Sequence, residues 1–257
     1  MKRLFTTILL LALSASAAHA QQQPAPVARL IDEFGEIQFS DLMARLDFFA
    51  VELQNEPASL GVIVAYGARH TFPGWPMRRA HASHNYLVNT RGLDAARLST
   101  VFAGLREEIA FQLWVVPPGA EPPAKPFDPV LLMSGEKTPL PFDRYTVIER
   151  GDRPESEYGD AYPDEAELYE YFVEVLKRDP ALRGCVIGYT SRRGSLAAGR
   201  RIAARAKLTM AKAYALDVTR VVALGGGRRE YKMLELWLVP PGAPLPRPSP
   251  ALRSKRR

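Results

Sequence analysis

The chain has 257 residues, 47% of them hydrophobic, a formal net charge of +6 and one cysteine, Cys185. That length suits two domains of about 100 residues each, and an unpaired cysteine excludes an internal disulfide, so the core must hold the fold. Lys2 and Arg3 open the chain and Arg247, Arg253, Lys255, Arg256 and Arg257 close it; without these seven charges the remainder sums to −1, which excludes a nucleic-acid surface as the source of the basic balance.

Residues 1–20 have the form of an export signal. Lys2 and Arg3 give a positive start, residues 4–13 are apolar but too short to span a bilayer, and Ala18-His19-Ala20 is a small-x-small cleavage site. No cysteine stands at that site, and no later stretch is apolar enough to cross a membrane, so a periplasmic location is expected. Residues 21–27 are a polar leader expected to be disordered.

The elements then follow in order. Residues 31–37 suit a first strand, and Ser40 suits a helix N-cap before Leu42, Leu46, Phe49, Ala50 and Leu53, one apolar face at helical spacing. The apolar run 60–66 predicts a buried strand, residues 77–90 a second helix, and 98–102 a strand turned at Ala103-Gly104. Residues 109–116 return as a strand that Pro117-Pro118-Gly119 stops, because proline cannot donate to a ladder. A Pro-rich connector, 122–141, carries Val130, Leu131, Leu132 and Met133 as a docking patch. The order then repeats: strand 142–149, loop 150–164, helix 164–178, strand 184–190, helix 199–215, strand 220–224, a turn at Gly225-Gly226-Gly227 and strand 232–239. A basic tail, 244–257, is too polar to pack.

The repetition is one of residues as well as of elements. Leu113-Trp114-Val115-Val116-Pro117-Pro118-Gly119-Ala120 returns as Leu236-Trp237-Leu238-Val239-Pro240-Pro241-Gly242-Ala243, a shift of 123. In the same register Pro57 matches Pro180, Gly61 Gly184, Tyr66 Tyr189, Asp94 Asp217, Arg97 Arg220, Gly104 Gly227 and Arg106 Arg229. This predicts two tandem β-α-β-α-β-β units of the α+β class with loops of equal length, each a small mixed sheet with two helices on one face. The expected divisions are signal 1–20, leader 21–27, unit 1 over 28–121, connector 122–141, unit 2 over 142–243 and tail 244–257.

Two segments carry a resemblance. The second copy has Gly188-Tyr189-Thr190-Ser191-Arg192-Arg193-Gly194-Ser195, and the first has Arg78-Arg79-Ala80-His81-Ala82-Ser83-His84-Asn85-Tyr86-Leu87 followed by Gly92 to Leu98. The middle of each copy resembles the OmpA-like, peptidoglycan-associating domain, in which a strand ends in Gly-His-Thr-Asp and the next helix carries Arg-Arg-Ala. In that family the Asp and the Arg hold the two ends of the stem peptide's diamino acid by charge pairing. The resemblance implies ligand contact at Arg79 in unit 1 and at Thr190, Ser191, Arg201 and Arg205 in unit 2. The chain departs from the pattern at Ala68 and Ser191, where the Asp belongs, and at Ile202, where the Arg belongs.

Other chemistry is sparse. His81 and His84 are one helical turn apart but lack a nearby carboxylate or cysteine to complete a metal set, and suit solvated helix positions. Gly225-Gly226-Gly227 precedes a strand, so a hairpin turn fits better than a phosphate cradle. Trp114 and Trp237 suit cover for a sheet face or for the contact between copies, or else a platform for sugar rings. Arg192, Arg193, Arg200, Arg201 and Arg205 form either a solvated basic face or an anion site. The expected role is non-catalytic, without cofactor or metal. The partner is peptidoglycan or an envelope protein; the alternative is a protein-interaction module that no longer binds the wall.

Overall fold

The computed structural model describes residues 25–133, 137–147 and 165–248. The export signal, most of the leader, the loop 150–164 and the end of the tail lie outside the described residues.

Two four-stranded mixed sheets and four helices make an α+β fold of two like units. Unit 1 runs β1 (Arg29–Phe34), α1 (Phe39–Asn55), β2 (Leu60–Ala68), α2 (Gly74–Asn89), β3 (Leu98–Arg106) and β4 (Ala110–Val116). Unit 2 runs β5 (Leu140–Thr146), α3 (Glu170–Arg178), β6 (Arg183–Thr190), α4 (Leu196–Tyr214), β7 (Val221–Arg228) and β8 (Met233–Val239). The sheet orders, β1-β4-β2-β3 and β5-β8-β6-β7, are the same. In each, the central strand pairs parallel to one neighbour and antiparallel to the other. Among the described residues no helix is long and apolar enough to cross a membrane.

The apolar patterns explain the layers. Leu42, Leu46, Phe49, Ala50 and Leu53 are all buried and bring α1 onto the sheet. β2 is buried on both faces, as its continuous apolar run requires. One apolar cluster joins the helices to the inner faces of both sheets, running from Leu46 and Phe111 through Phe142 to Leu176 and Leu236. The opposite faces carry smaller clusters, Val62, Val64 and Val116 under Trp114, and Cys185, Ile187 and Val239 under Trp237. Burial pushes the Cys185 thiol up to about 12.

The repeat reaches single hydrogen bonds. Arg97 donates to the carbonyls of Leu53, Glu56 and Ser59 at 2.8, 2.9 and 2.9 Å, and Arg220 to those of Leu176, Asp179 and Leu182 at 2.5, 2.8 and 2.9 Å. Each arginine thus satisfies carbonyls that the end of α1 or α3 leaves without intrahelical donors. Asp94 and Asp217 each accept from the amide two residues on, at 2.9 and 2.8 Å, opening the one-turn 3-10 helix before β3 and β7.

Several sequence expectations need correction. α1 begins at Phe39 behind Gln38, so Ser40 lies inside the first turn and is not the cap. Ala103-Gly104 and Gly225-Gly226-Gly227 do not turn the chain: β3 and β7 continue through them. An extra residue bulges from each strand against its parallel partner, and Gly104 and Gly227 take up the left-handed backbone there, at φ 99° and 95°. The repeat is not in one register throughout. Asp32 and Asp143 hold equivalent places, opposite Leu113 and Leu236 beside matching bulges, yet stand 111 residues apart. The register offset between the units is therefore twelve residues smaller at the first strand than in the rest of the repeat, and 23 residues separate β5 from α3 where four separate β1 from α1. Within the tail, Pro246 is buried.

Candidate ligand-binding site

The helices stack in chain order, α2 lying between α1 and α3. Where α2 meets unit 2 the contact is close. A Cβ on Gly74 would fall 2.8 Å from the Phe142 ring and 2.9 Å from Asp143 Cβ, so the start of α2 rests against β5. Arg78 and Asp143 pair across this junction, both buried, with Nε to Oδ2 at 2.9 Å. His81, one turn along, is buried against the Tyr171 ring, with Nδ1 2.9 Å from Glu170 Oε2. It is not the solvated histidine that helical spacing suggested. The fold also brings donor atoms of His81, Glu170 and Glu174 within 4.8 Å of one another, a set able to hold a cation. Those carboxylates come from unit 2, so local spacing on α2 could not reveal them.

A cleft of about 340 Å³ opens beside this junction. Its walls are the loop after β2 (residues 68–73), Leu105, Leu132 of the connector, and Leu140 and Pro141 of β5. Thr71 holds the loop in a tight turn: its Oγ1 accepts from the Ala68 amide at 3.1 Å and donates to the Ala68 carbonyl at 2.9 Å. Arg69 and His70 stand exposed at the rim, and the exposed Arg144 guanidinium lies 4.9 Å from the Phe72 ring centroid. Phe72, Pro73, Leu105, Leu132, Leu140 and Pro141 form the apolar lining of the cleft. The connector patch at 130–133 is a one-turn 3-10 helix that supplies one wall of this cleft and leaves Leu131 in solvent. Just before it, Phe127 donates its amide to the Phe102 carbonyl at 2.7 Å, covering part of the β3 edge.

The residues expected to contact a ligand are distributed as follows. Arg79 is only 1% exposed and donates to the Ile37 carbonyl at 2.6 Å, so it faces the interior of unit 1. Its neighbour Arg78 makes the guanidinium–carboxylate pair, but with the chain's own Asp143. Thr190 ends β6 fully buried, its Oγ1 directed at Gly194. Ser191 follows it and accepts from the Gly194 amide at 3.0 Å. Arg201 is exposed on α4, and Arg205 pairs with Glu165 at 3.0 Å. Thr190 and Ser191 share the end of β6, whereas Arg79 lies in the other unit. In unit 2 the loop equivalent to the cleft wall carries Arg192 and Arg193, both exposed.

A second cluster recurs on the open sheet faces. Arg106 stacks on Tyr66 at 3.5 Å and pairs with Glu33, which also accepts from Gln112; Trp114 donates to Gln112 at 3.1 Å. The Gln112 amide and then the Arg106 guanidinium hold the Glu33 carboxyl below its ordinary range. In unit 2 Arg229 stacks on Tyr189 at 4.1 Å, and Glu235 accepts from Tyr189 and Trp237 at 2.8 and 3.3 Å. Both tryptophans thus lie on the sheet face away from the helices. The sequence signal for these clusters was the matched Tyr, Arg and Trp positions.

No protein-family model matches the chain, and no curated protein matches it.

Proposed function

We propose that the protein is an exported, non-catalytic binding or scaffold protein of the cell envelope. On this reading its units are degenerate OmpA-like domains, and it takes a carboxylate-ended peptide, such as a peptidoglycan stem, in the cleft of unit 1. The observation that carries this is the pairing of an apolar floor at the carboxyl end of β2 with Arg69 and His70 at its rim and Arg144 over the Phe72 ring. Ligands of sheets with parallel strands collect at such strand ends, and a guanidinium is a strong donor to a carboxylate. With Arg78 and Arg79 engaged inside the fold, recognition passes from the helix arginines to the rim. In unit 2 the proposed contacts are Ser191 and the exposed Arg201; Thr190, like Arg79, is buried inside the fold, and Arg205 is available only by leaving Glu165. The competing reading is a protein-interaction module, favoured by Leu131 standing 62% exposed on the connector.

Retention of the protein on purified peptidoglycan sacculi tests this. Arg69→Ala with Arg144→Ala should weaken retention by roughly tenfold or more, since each charge-assisted bond contributes about 1.5–3 kcal/mol. Both side chains are exposed, so the fold is expected to survive the change. Retention indifferent to the pair would remove the cleft from the account, and no retention at all would leave the interaction module.

A further inference from the structure

The contact between the two units is head to tail, and a head-to-tail contact uses two different surfaces. One surface is a stripe on α2: Gly74, Arg78 and His81, all buried, with Asn85 half-buried beyond them. The other is the leading side of unit 2: Phe142 and Asp143 on β5, with Glu170, Tyr171 and Glu174 on α3. Tyr171 is 6% exposed there, its ring packed near His81, Phe102 and Phe142.

Because the units are copies, each surface exists twice and only one of each is used. The α2 stripe recurs 123 residues on as Ala197, Arg201, Ala204 and Leu208 of α4, and all four are exposed, Leu208 by 63%. The leading side of unit 2 recurs in unit 1 as Asp32 on β1 with Asp47, Phe48 and Val51 on α1. Phe48, the counterpart of Tyr171, is 56% exposed, and Val51, the counterpart of Glu174, is 49% exposed. The chain thus keeps a large aromatic in solvent at the position where its own second unit buries one, with an exposed valine one turn on where unit 2 has the exposed Glu174. Charge is matched as well. Arg78 pairs with Asp143 inside the chain; their counterparts are Arg201, exposed, and Asp32, a quarter exposed and bonded to Arg45. β7 and β1, the strands beside these surfaces, are the outer edges of their sheets.

We infer that a second copy of this chain is the occupant: the α4 stripe of one molecule docks on the α1–β1 side of the next, repeating the internal contact between units. Arg201 then meets Asp32 of the neighbouring copy, and Leu208 and Ala204 cover Phe48 and Val51. Because the two surfaces differ, the contact is not a symmetric pairing of two molecules: copies add head to tail, into a ring where the rotation closes and a filament where it does not.

Sedimentation velocity on the full chain, from micromolar upward, reads this directly. The mass should grow with concentration past the dimer. Phe48→Glu and Leu208→Glu, both at exposed positions, should each give monomers when alone. Mixed together they should give one heterodimer and nothing larger, because each retains one intact surface. A chain monomeric at all concentrations, or assembly unaffected by either substitution, overturns the inference. So does a wild-type dimer that the mixed variants fail to reproduce, since that result belongs to a symmetric contact.

Discussion

Asp143 is where the energetics of the junction concentrate. It is buried, accepts from Arg78 and from the Arg144 amide at 2.7 Å, and sits where the start of α2 presses on β5. Removing one partner of a buried pair leaves the other charge uncompensated, so Asp143→Ala should destabilise the protein by about 3–5 kcal/mol in urea unfolding. Replacing both residues, Arg78→Met with Asp143→Leu, should recover most of that loss; a double variant as unstable as the single would show that shape, not charge, governs the site. The same residues show what the sequence concealed. The sequence pointed to Arg79 for guanidinium–carboxylate chemistry, whereas Arg79 donates to the Ile37 carbonyl and it is the neighbouring Arg78 that pairs with a carboxylate. Its carboxylate comes from the chain itself, 65 positions away, which no local pattern discloses.

Among the elements, the strands and helices were legible where burial enforces a period. The stripe from Leu42 to Leu53 and the run into β2 are examples, because a mis-set face would expose a core. Glycine misled. Ala103-Gly104 and Gly225-Gly226-Gly227 carry the composition of a turn, yet the left-handed backbone at Gly104 and Gly227 goes with a bulge against the parallel strand. Gly227 has open space around the position a Cβ would take, so Gly227→Ala isolates the backbone cost. It should lower stability by about 1–2 kcal/mol in chemical unfolding, with Gly227→Asn losing less. An alanine variant as stable as the wild type would contradict the strain assigned to the bulge. The first-strand offset escaped the sequence for a related reason: Asp32 and Asp143 are matched only by their pairing to β4 and β8, not by neighbouring residues.

For the whole molecule, duplication explains both the likeness and the inequality of the halves. The arginines at 97 and 220, and the tryptophans at 114 and 237, perform the same tasks twice. The cleft does not have this symmetry. Its wall includes Leu140 and Pro141 of β5, which come from the unit that follows. In the counterpart loop Arg192 and Arg193 are exposed, and head-to-tail addition of another copy would bring β1 toward it. Charge, apolar floor and strand-end position combine in unit 1, the site proposed for recognition. An amide NMR titration of the full chain with a soluble peptidoglycan stem peptide tests this most directly. The account predicts saturable shifts centred on residues 68–73 and on Arg144, lost in Arg69→Ala with Arg144→Ala. Shifts centred on the open sheet faces around Trp114 and Trp237, or no shifts at saturating peptide, would contradict it.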